Sequence, residues 1–301
     1  MKAIKMIIIL LFLSLGFYFF SIYKMDHANK RSSKPMVAVS TFVFYNAVKI
    51  IGGNTVNCFM IAPIGADIEE FKPTPKMMVR LSKAKLIIYS GAGLEPWIKP
   101  FLGTKKTLKL SRYIKLRYVK TAYFKKIPDP HYWLNINNMI TVAKVLRDKF
   151  IKLFPSNKAI YQANTTKFIN KLEKLKQLYK SRLSRCQKHT LIVGHNAFSY
   201  LGDEFGFGVD SISGLSPDTE PSAKTIERII KDVKDNNATT IFFIPFTNPS
   251  VMKSVASQTH TKIGILQPIV NITKTKLIQH PTYFSLMMKN LGKISDALEC
   301  R

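Results

Sequence analysis

NKAIYQANTTKFINKLEKLKQLYKSRLSR, residues Asn157 to Arg185, contains neither glycine nor proline. Within it Phe168, Leu172, Leu175 and Tyr179 recur at intervals of four, three and four residues, which places them on one stripe of a helix. At 1.5 Å per residue such a helix is roughly 40 Å long, enough to run along two packed lobes. The chain has 301 residues, and single domains usually take about 100–200, so two modest cores are within reach.

The sequence on either side of this helix carries two similar series. In the first, Met36 to Ser40, Val56 to Ile61 and Leu86 to Tyr89 read as buried strands, and Pro75 to Ala84 reads as a helix with its proline in the first turn. In the second, Thr190 to Val193, Val209 to Ile212, Thr240 to Ile244 and Ile263 to Leu266 are strand-like. Ser222 to Asp235 and Pro249 to Thr259 lie between them as helices, with Ser222 as N-cap of the first. A further amphipathic helix precedes the long one, capped by Asn135 and facing Met139, Ala143, Leu146, Phe150 and Leu153 inward. The expected class is α/β: two lobes, each a mainly parallel sheet flanked by helices, joined by one long rigid helix. The expected divisions are 1–25 as a signal or anchor, 36–154 and 186–301 as lobes, and 155–185 as the connection. No repeat with a period of 20 to 50 residues is present, which sets solenoids and propellers aside.

Lys2 and Lys5 precede an apolar run from Met6 to Tyr23, and Lys24 follows. That is an export segment. Phe17 to Phe20 is bulky where a cleavage site needs small residues, and no cysteine stands there to take a lipid, so an uncleaved anchor is the favoured reading beside a cleaved signal. Cys58, Cys186 and Cys300 have no metal-ligand spacing, and three thiols allow at most one disulfide, whose pairing stays open.

The formal net charge of +28 fits an electrostatic footprint for nucleic acid, but the excess is spread along the whole chain and no nucleic-acid partner is expected. Its densest block, Lys99 to Lys126, holds ten Lys or Arg and no acid, interleaved with Tyr113, Tyr118, Tyr123 and Phe124. Such a block is a solvated face or a surface for docking on the membrane or a permease.

In open α/β sheets ligands collect at the carboxyl ends of the strands. Three loops there carry metal-type residues. Gly65 to Pro75 concentrates Asp67, Glu69 and Glu70; Asp129-Pro130-His131-Tyr132-Trp133-Leu134 sets a histidine beside a carboxylate; Gly194-His195-Asn196-Ala197-Phe198 sets one directly after a strand. Sequence spacing alone cannot bring them together. His27, His189, His260 and His280 have no motif around them, Gly91-Ala92-Gly93 is too short for a dinucleotide loop, and no nucleophile elbow is present.

These loops belong to an ordered set of landmarks: Phe42-Val43-Phe44-Tyr45, Ile50 with Gly52-Gly53, Gly65 to Pro75, Gly93-Leu94-Glu95-Pro96-Trp97, Asp129 to Leu134, His195 to Tyr200, Ser213 to Pro217 and Glu220-Pro221-Ser222, closed by Tyr283 to Leu298. In this order they resemble the metal-binding solute receptors of ABC transporters, the family of zinc and manganese receptors and streptococcal adhesin lipoproteins. The resemblance covers about residues 36 to 300 and implies metal held in a cleft between two lobes.

It implies Glu69, His131 and His195 as metal ligands, Glu69 standing where the family usually has a histidine. Gln267 falls where many members have a fourth, acidic ligand, and Glu70 and Asp129 are further candidates for a fourth ligand or for support of the first three. The histidine at the third position is the zinc-type choice, so Zn2+ is expected, with Mn2+ and Fe2+ as alternatives, because a carboxylate in place of imidazole hardens the site. The histidine-rich loop of many zinc members is absent, since Lys99 to Lys126 contains no histidine. The implied function is an extracytoplasmic, monomeric receptor without enzymatic activity that delivers a divalent transition metal to an ABC permease and is tethered by its N-terminal segment. A manganese or iron receptor, a metal-depleted adhesin-like protein and a metal-dependent hydrolase are the competing readings.

Overall fold

Short β-branched and aromatic runs open both halves of the chain, and the computed structural model, which describes residues 34–104, 106–119, 126–215, 221–245 and 247–301, pairs them into two parallel sheets. The expected N-terminal anchor lies outside the described residues, as do Lys105 and residues 120–125 of the basic block, and Ser216, Pro217 and Glu220 among the landmarks. No helix among the described residues is long and apolar enough to cross a membrane. Residues 36–301 form one compact unit.

In chain order the first half contains β1 (Met36–Val39), α1 (Phe42–Gly52), β2 (Asn57–Met60), α2 (Pro75–Ser82), β3 (Leu86–Tyr89), β4 (Thr107–Lys109), the short hairpin β5 (Tyr118–Val119) and β6 (Ile127–Pro128), and α3 (Ile136–Leu153). The helix α4 (Lys158–Arg182) follows. The second half contains β7 (Thr190–Val193), α5 (Ser199–Phe205), β8 (Gly208–Ser211), α6 (Ala223–Asp235), β9 (Thr240–Phe243), α7 (Ser250–Thr259), β10 (Lys262–Ile265), α8 (Lys274–Leu277) and α9 (Tyr283–Ala297). The sheets run β2-β1-β3-β4 and β10-β9-β7-β8, parallel throughout.

Local chemistry starts the helices where the sequence reading places them. Thr74, Asn135 and Ser222 each accept a hydrogen bond from the backbone N–H three residues on, satisfying a donor the helix cannot. Strand alternation then sorts side chains: Val37 and Val39 face one core while Ala38 faces another, and Leu191 and Val193 part from Ile192 in the same way. Helix α4 buries Tyr161, Thr165, Phe168, Leu172, Leu175 and Tyr179, the expected stripe extended by two turns. Of the residues expected to face inward on α3, Leu153 is only half-buried, because the chain turns away at Phe154.

The largest core does not stop at the boundary between the sheets. It runs from Val39, Phe44 and Trp133 of the first half through Phe168 and Tyr179 of α4 to Val193, Phe242 and Leu266 of the second. Hydrogen bonds stitch the same seam: Phe42 N–H to Val270 O at 2.8 Å, Trp133 Nε1–H to Pro268 O at 2.7 Å, and Tyr283 O–H to Trp133 O at 2.9 Å. Tyr200 of α5 accepts from Arg117 N–H and donates to Asp129 O, while Asp203 pairs with the Arg117 guanidinium.

Cys186, just before β7, is bonded to Cys300, just after α9. Cys58 is the free cysteine; burial pushes its thiol up to about 12, so it stays protonated near neutrality.

Candidate metal centre

Three loops converge on the seam. Residues between β2 and α2 carry Glu69, the turn after β6 carries His131, and the residue pair after β7 carries His195. Glu69 is positioned locally by its own N–H, which donates to Asp67 Oδ1 at 2.9 Å. Both histidines are 1% exposed and Glu69 is half-buried.

One oxygen and two nitrogens define the centre. His131 Nε2 and His195 Nε2 are 3.3 Å apart, and Glu69 Oε1 lies 3.9 Å from each. The point equidistant from all three is about 2.2 Å from each atom, against about 2.0–2.2 Å for zinc bonds to imidazole nitrogen and carboxylate oxygen. Among the described residues these three form the cluster of His, Cys, Asp and Glu that could hold a metal ion.

The imidazoles are prepared in different ways. Asp129 is wholly buried; its Oδ1 accepts from the His131 backbone N–H at 2.9 Å and sits 2.9 Å from His131 Nδ1. A carboxylate oxygen accepts, so Nδ1 carries the proton and the lone pair of Nε2 faces Glu69 and His195. Burial, with His131 beside it, holds the His195 imidazole well below the usual histidine range. A neutral ring is the form that binds metal.

The remaining sequence candidates part company. Glu70 is exposed and does not join the cluster. Gln267 is 2% exposed; its backbone is held by Asn290, yet its side-chain amide has no hydrogen-bond partner among the described residues. It precedes Pro268, whose carbonyl accepts from the indole of Trp133, two residues after His131.

Support behind the histidines comes from residues the sequence reading left without a role. Glu95 accepts from Ser90 N–H and Gly91 N–H, both at 2.8 Å, and the Ser90 hydroxyl and carbonyl lie 3.2 Å from Tyr132 Oη, next to His131. Gly91 adopts φ 78°, and a Cβ there would strike Ser111 and Lys109, so only glycine fits this turn. The one hint in the sequence is the spacing of Gly91, Gly93 and Glu95.

Burial raises the Glu95 carboxyl to about 7, against the opposing pull of the two amides and Lys109. The unfolded chain releases this proton above its ordinary value of 4.5 and the folded chain only near 7, so between them the folded state holds the extra proton. Stability therefore falls as pH rises across that window, by roughly 3 kcal/mol if the full difference is expressed. Glu95→Gln is expected to flatten this slope in urea titrations run at stepped pH; an unchanged slope would mean that Glu95 ionises normally.

Proteins of known kind share both the sequence and the shape. The zinc-binding protein AdcA of Streptococcus pyogenes serotype M1 is 28% identical over 309 residues, which is 94% of this chain and 60% of AdcA. This chain thus spans about three fifths of that relative's length. The high-affinity zinc uptake system protein ZnuA of Bacillus subtilis is 25% identical over 286 residues, 90% of each chain. The crystal structure of the Zn(II)-bound ZnuA-like domain of Streptococcus pneumoniae AdcA superposes with a TM-score of 0.76 at 26% identity, over 88% of this chain and 99% of that one. Residues 37–297, nearly all of the described unit, match the family ZnuA, zinc-uptake complex component A, periplasmic, and the chain belongs to that family.

Proposed function

We propose that this protein is an extracytoplasmic receptor that captures a zinc ion at Glu69, His131 and His195 and hands it to the permease of an ABC importer. The observation that carries the reading is the triangle of ligand atoms, whose common point lies at bonding distance for zinc. Glu69 and His131 come from the first lobe and His195 from the second, so the ion closes the seam between them. Two imidazoles and one carboxylate form a workable set of three, with water completing a tetrahedron. Imidazole nitrogen suits zinc, and zinc stands above Mn2+ and Fe2+ in intrinsic affinity for such a site.

Gln267 is the further oxygen donor in this reading, neutral where an acid would add charge. Its unpartnered amide and its place beside Pro268 support that role. Glu70, being exposed, has none. The Cys186–Cys300 bond suits an oxidising compartment, and the apolar run from Met6 to Tyr23 serves as the tether that keeps the receptor near its permease. The lobes are residues 36–154 and 186–301, with 155–185 as the connection.

Protein purified without chelator should carry close to one zinc per chain by elemental analysis, and apo-protein should give a one-site calorimetric titration. Metal-free protein with a silent titration would reject the assignment. A deletion strain should lose zinc import at low external zinc and regain it with the wild-type gene. Asp129→Asn keeps the shape but removes the charge that orients His131, and such changes behind a metal ligand weaken binding by about 10–100-fold. The same titration reads this loss; an unchanged affinity would show that His131 needs no anchor.

A further inference from the structure

The basic stretch takes no part in the ion site, and its described portion builds a separate groove of about 760 Å³. One wall is β4 with the following turn Leu110–Tyr113, and the other is the last part of α3 from Val145 to Lys152. Lys109, Arg112, Lys149 and Lys152 line it against a single acid, Asp148, which already accepts from Arg147 Nε at 2.8 Å. Arg112, Lys149 and Lys152 have no side-chain hydrogen bond or ion pair among the described residues, whereas the charge of Lys109 also acts on the buried Glu95 carboxyl. The rim carries exposed carbon: Leu102 is 50% and Tyr113 is 51% exposed.

We propose that this groove is the face by which the protein docks on an anionic phospholipid surface. Arg112, Lys149 and Lys152 contact headgroup phosphates, and Tyr113 and Leu102 enter the interfacial layer. Uncompensated positive charge is complementary to lipid phosphate, and tyrosine with an apolar body and a polar tip suits the boundary between headgroups and hydrocarbon. A soluble phosphate ion would have no use for the exposed leucine. The overall charge of +28 draws the protein toward any anionic surface but does not orient it; the groove does. A second groove, beside α4, is lined by Lys167, Lys171 and Lys174 without an acid, but its Ile50 and Phe284 are half-buried, so it offers charge without exposed carbon. The inference is independent of the metal-receptor reading.

Residues 36–301 form a compact unit with their own core, and a relative's domain matching this stretch has been crystallised by itself, so they can be tested without the apolar leader. Co-sedimentation with vesicles of phosphatidylglycerol in phosphatidylcholine should exceed that with phosphatidylcholine alone. A basic residue near an anionic surface contributes about fivefold, so Arg112→Gln/Lys149→Gln/Lys152→Gln should lower partitioning by about a hundredfold. Lys167→Gln/Lys171→Gln/Lys174→Gln, equal in net charge, should lower it by less than about fivefold. Tyr113→Ala should reduce the part of the binding that survives high salt, and Leu102→Ala/Tyr113→Ala should remove it. Equal losses in the two triple variants would overturn the proposal, as would indifference to phosphatidylglycerol. Displacement by millimolar inorganic phosphate would assign the groove to a free anion, and groove-dependent binding to heparin without binding to vesicles would assign it to a soluble polyanion; either outcome overturns the membrane assignment.

Discussion

His195→Ala is expected to weaken zinc binding by at least about a hundredfold, because changing only a residue behind a ligand already costs about 10–100-fold and this change removes one of the three proposed ligands outright. His195 is a better test than His131. Its Nδ1 has no hydrogen-bond partner among the described residues and its Nε2 meets only the other site groups, so its loss strips no partner from a buried carboxylate behind the site, whereas removing His131 takes one from the wholly buried Asp129. Zinc at one hundred times the wild-type dissociation constant should stabilise the wild type by about 2.7 kcal/mol and the variant by no more than about 0.4 kcal/mol. Chelated samples of the two proteins, melted in parallel, separate loss of the ion from loss of the fold. Full zinc-dependent stabilisation in His195→Ala would remove this residue from the site.

Cys300→Ser is expected to have the largest effect on stability. The bond to Cys186 spans a sequence separation of 114 residues, and in the chain-entropy account closing a loop of that size stabilises by roughly 4–5 kcal/mol. The same end of the second lobe is also zipped by backbone, Lys188 N–H to Leu298 O at 3.0 Å and Arg301 N–H to Arg185 O at 3.0 Å, with Lys188 Nζ donating to Glu299 Oε1 at 2.6 Å. Urea unfolding of the variant, and of wild type with and without reductant, measures the difference. A loss under about 1 kcal/mol would mean that the unfolded chain holds these ends together without the bond.

The fold was legible wherever a local signal agreed with the global one. Strands such as Leu86–Tyr89 and Thr190–Val193 carry apolar side chains to both faces of a buried sheet, and they read as such. The stripe on α4 and the caps Asn135 and Ser222 were equally plain. Helix α1 escaped because Phe42, Val43, Phe44, Ala47, Val48 and Ile51 are all buried, which narrows the polar face that would reveal a helix to little more than Asn46 and Lys49. Strand β4 escaped because Leu108 is its one buried residue in a lysine-rich stretch, as befits the edge of a sheet.

The candidate site was legible as three separate loops, each following a strand, and only resemblance to a family linked them. Nothing between Glu69 and His195 encodes their separation, which is set by how α4 and the seam hold the two sheets. The pairing of Cys186 with Cys300 was hidden for the same reason. Glu95 was legible as a support only through its spacing from Gly91 and Gly93, because its role depends on the turn at Gly91, a property of backbone geometry.

The core that passes from Phe44 through Phe168 to Phe242 has a thermodynamic consequence. Neither half can melt while the other stays native, because each would leave its partner's largest apolar surface facing water. Whatever free energy an ion contributes at the seam is therefore shared by every helix and strand of residues 36–301, and occupancy registers as a shift of the entire cooperative transition.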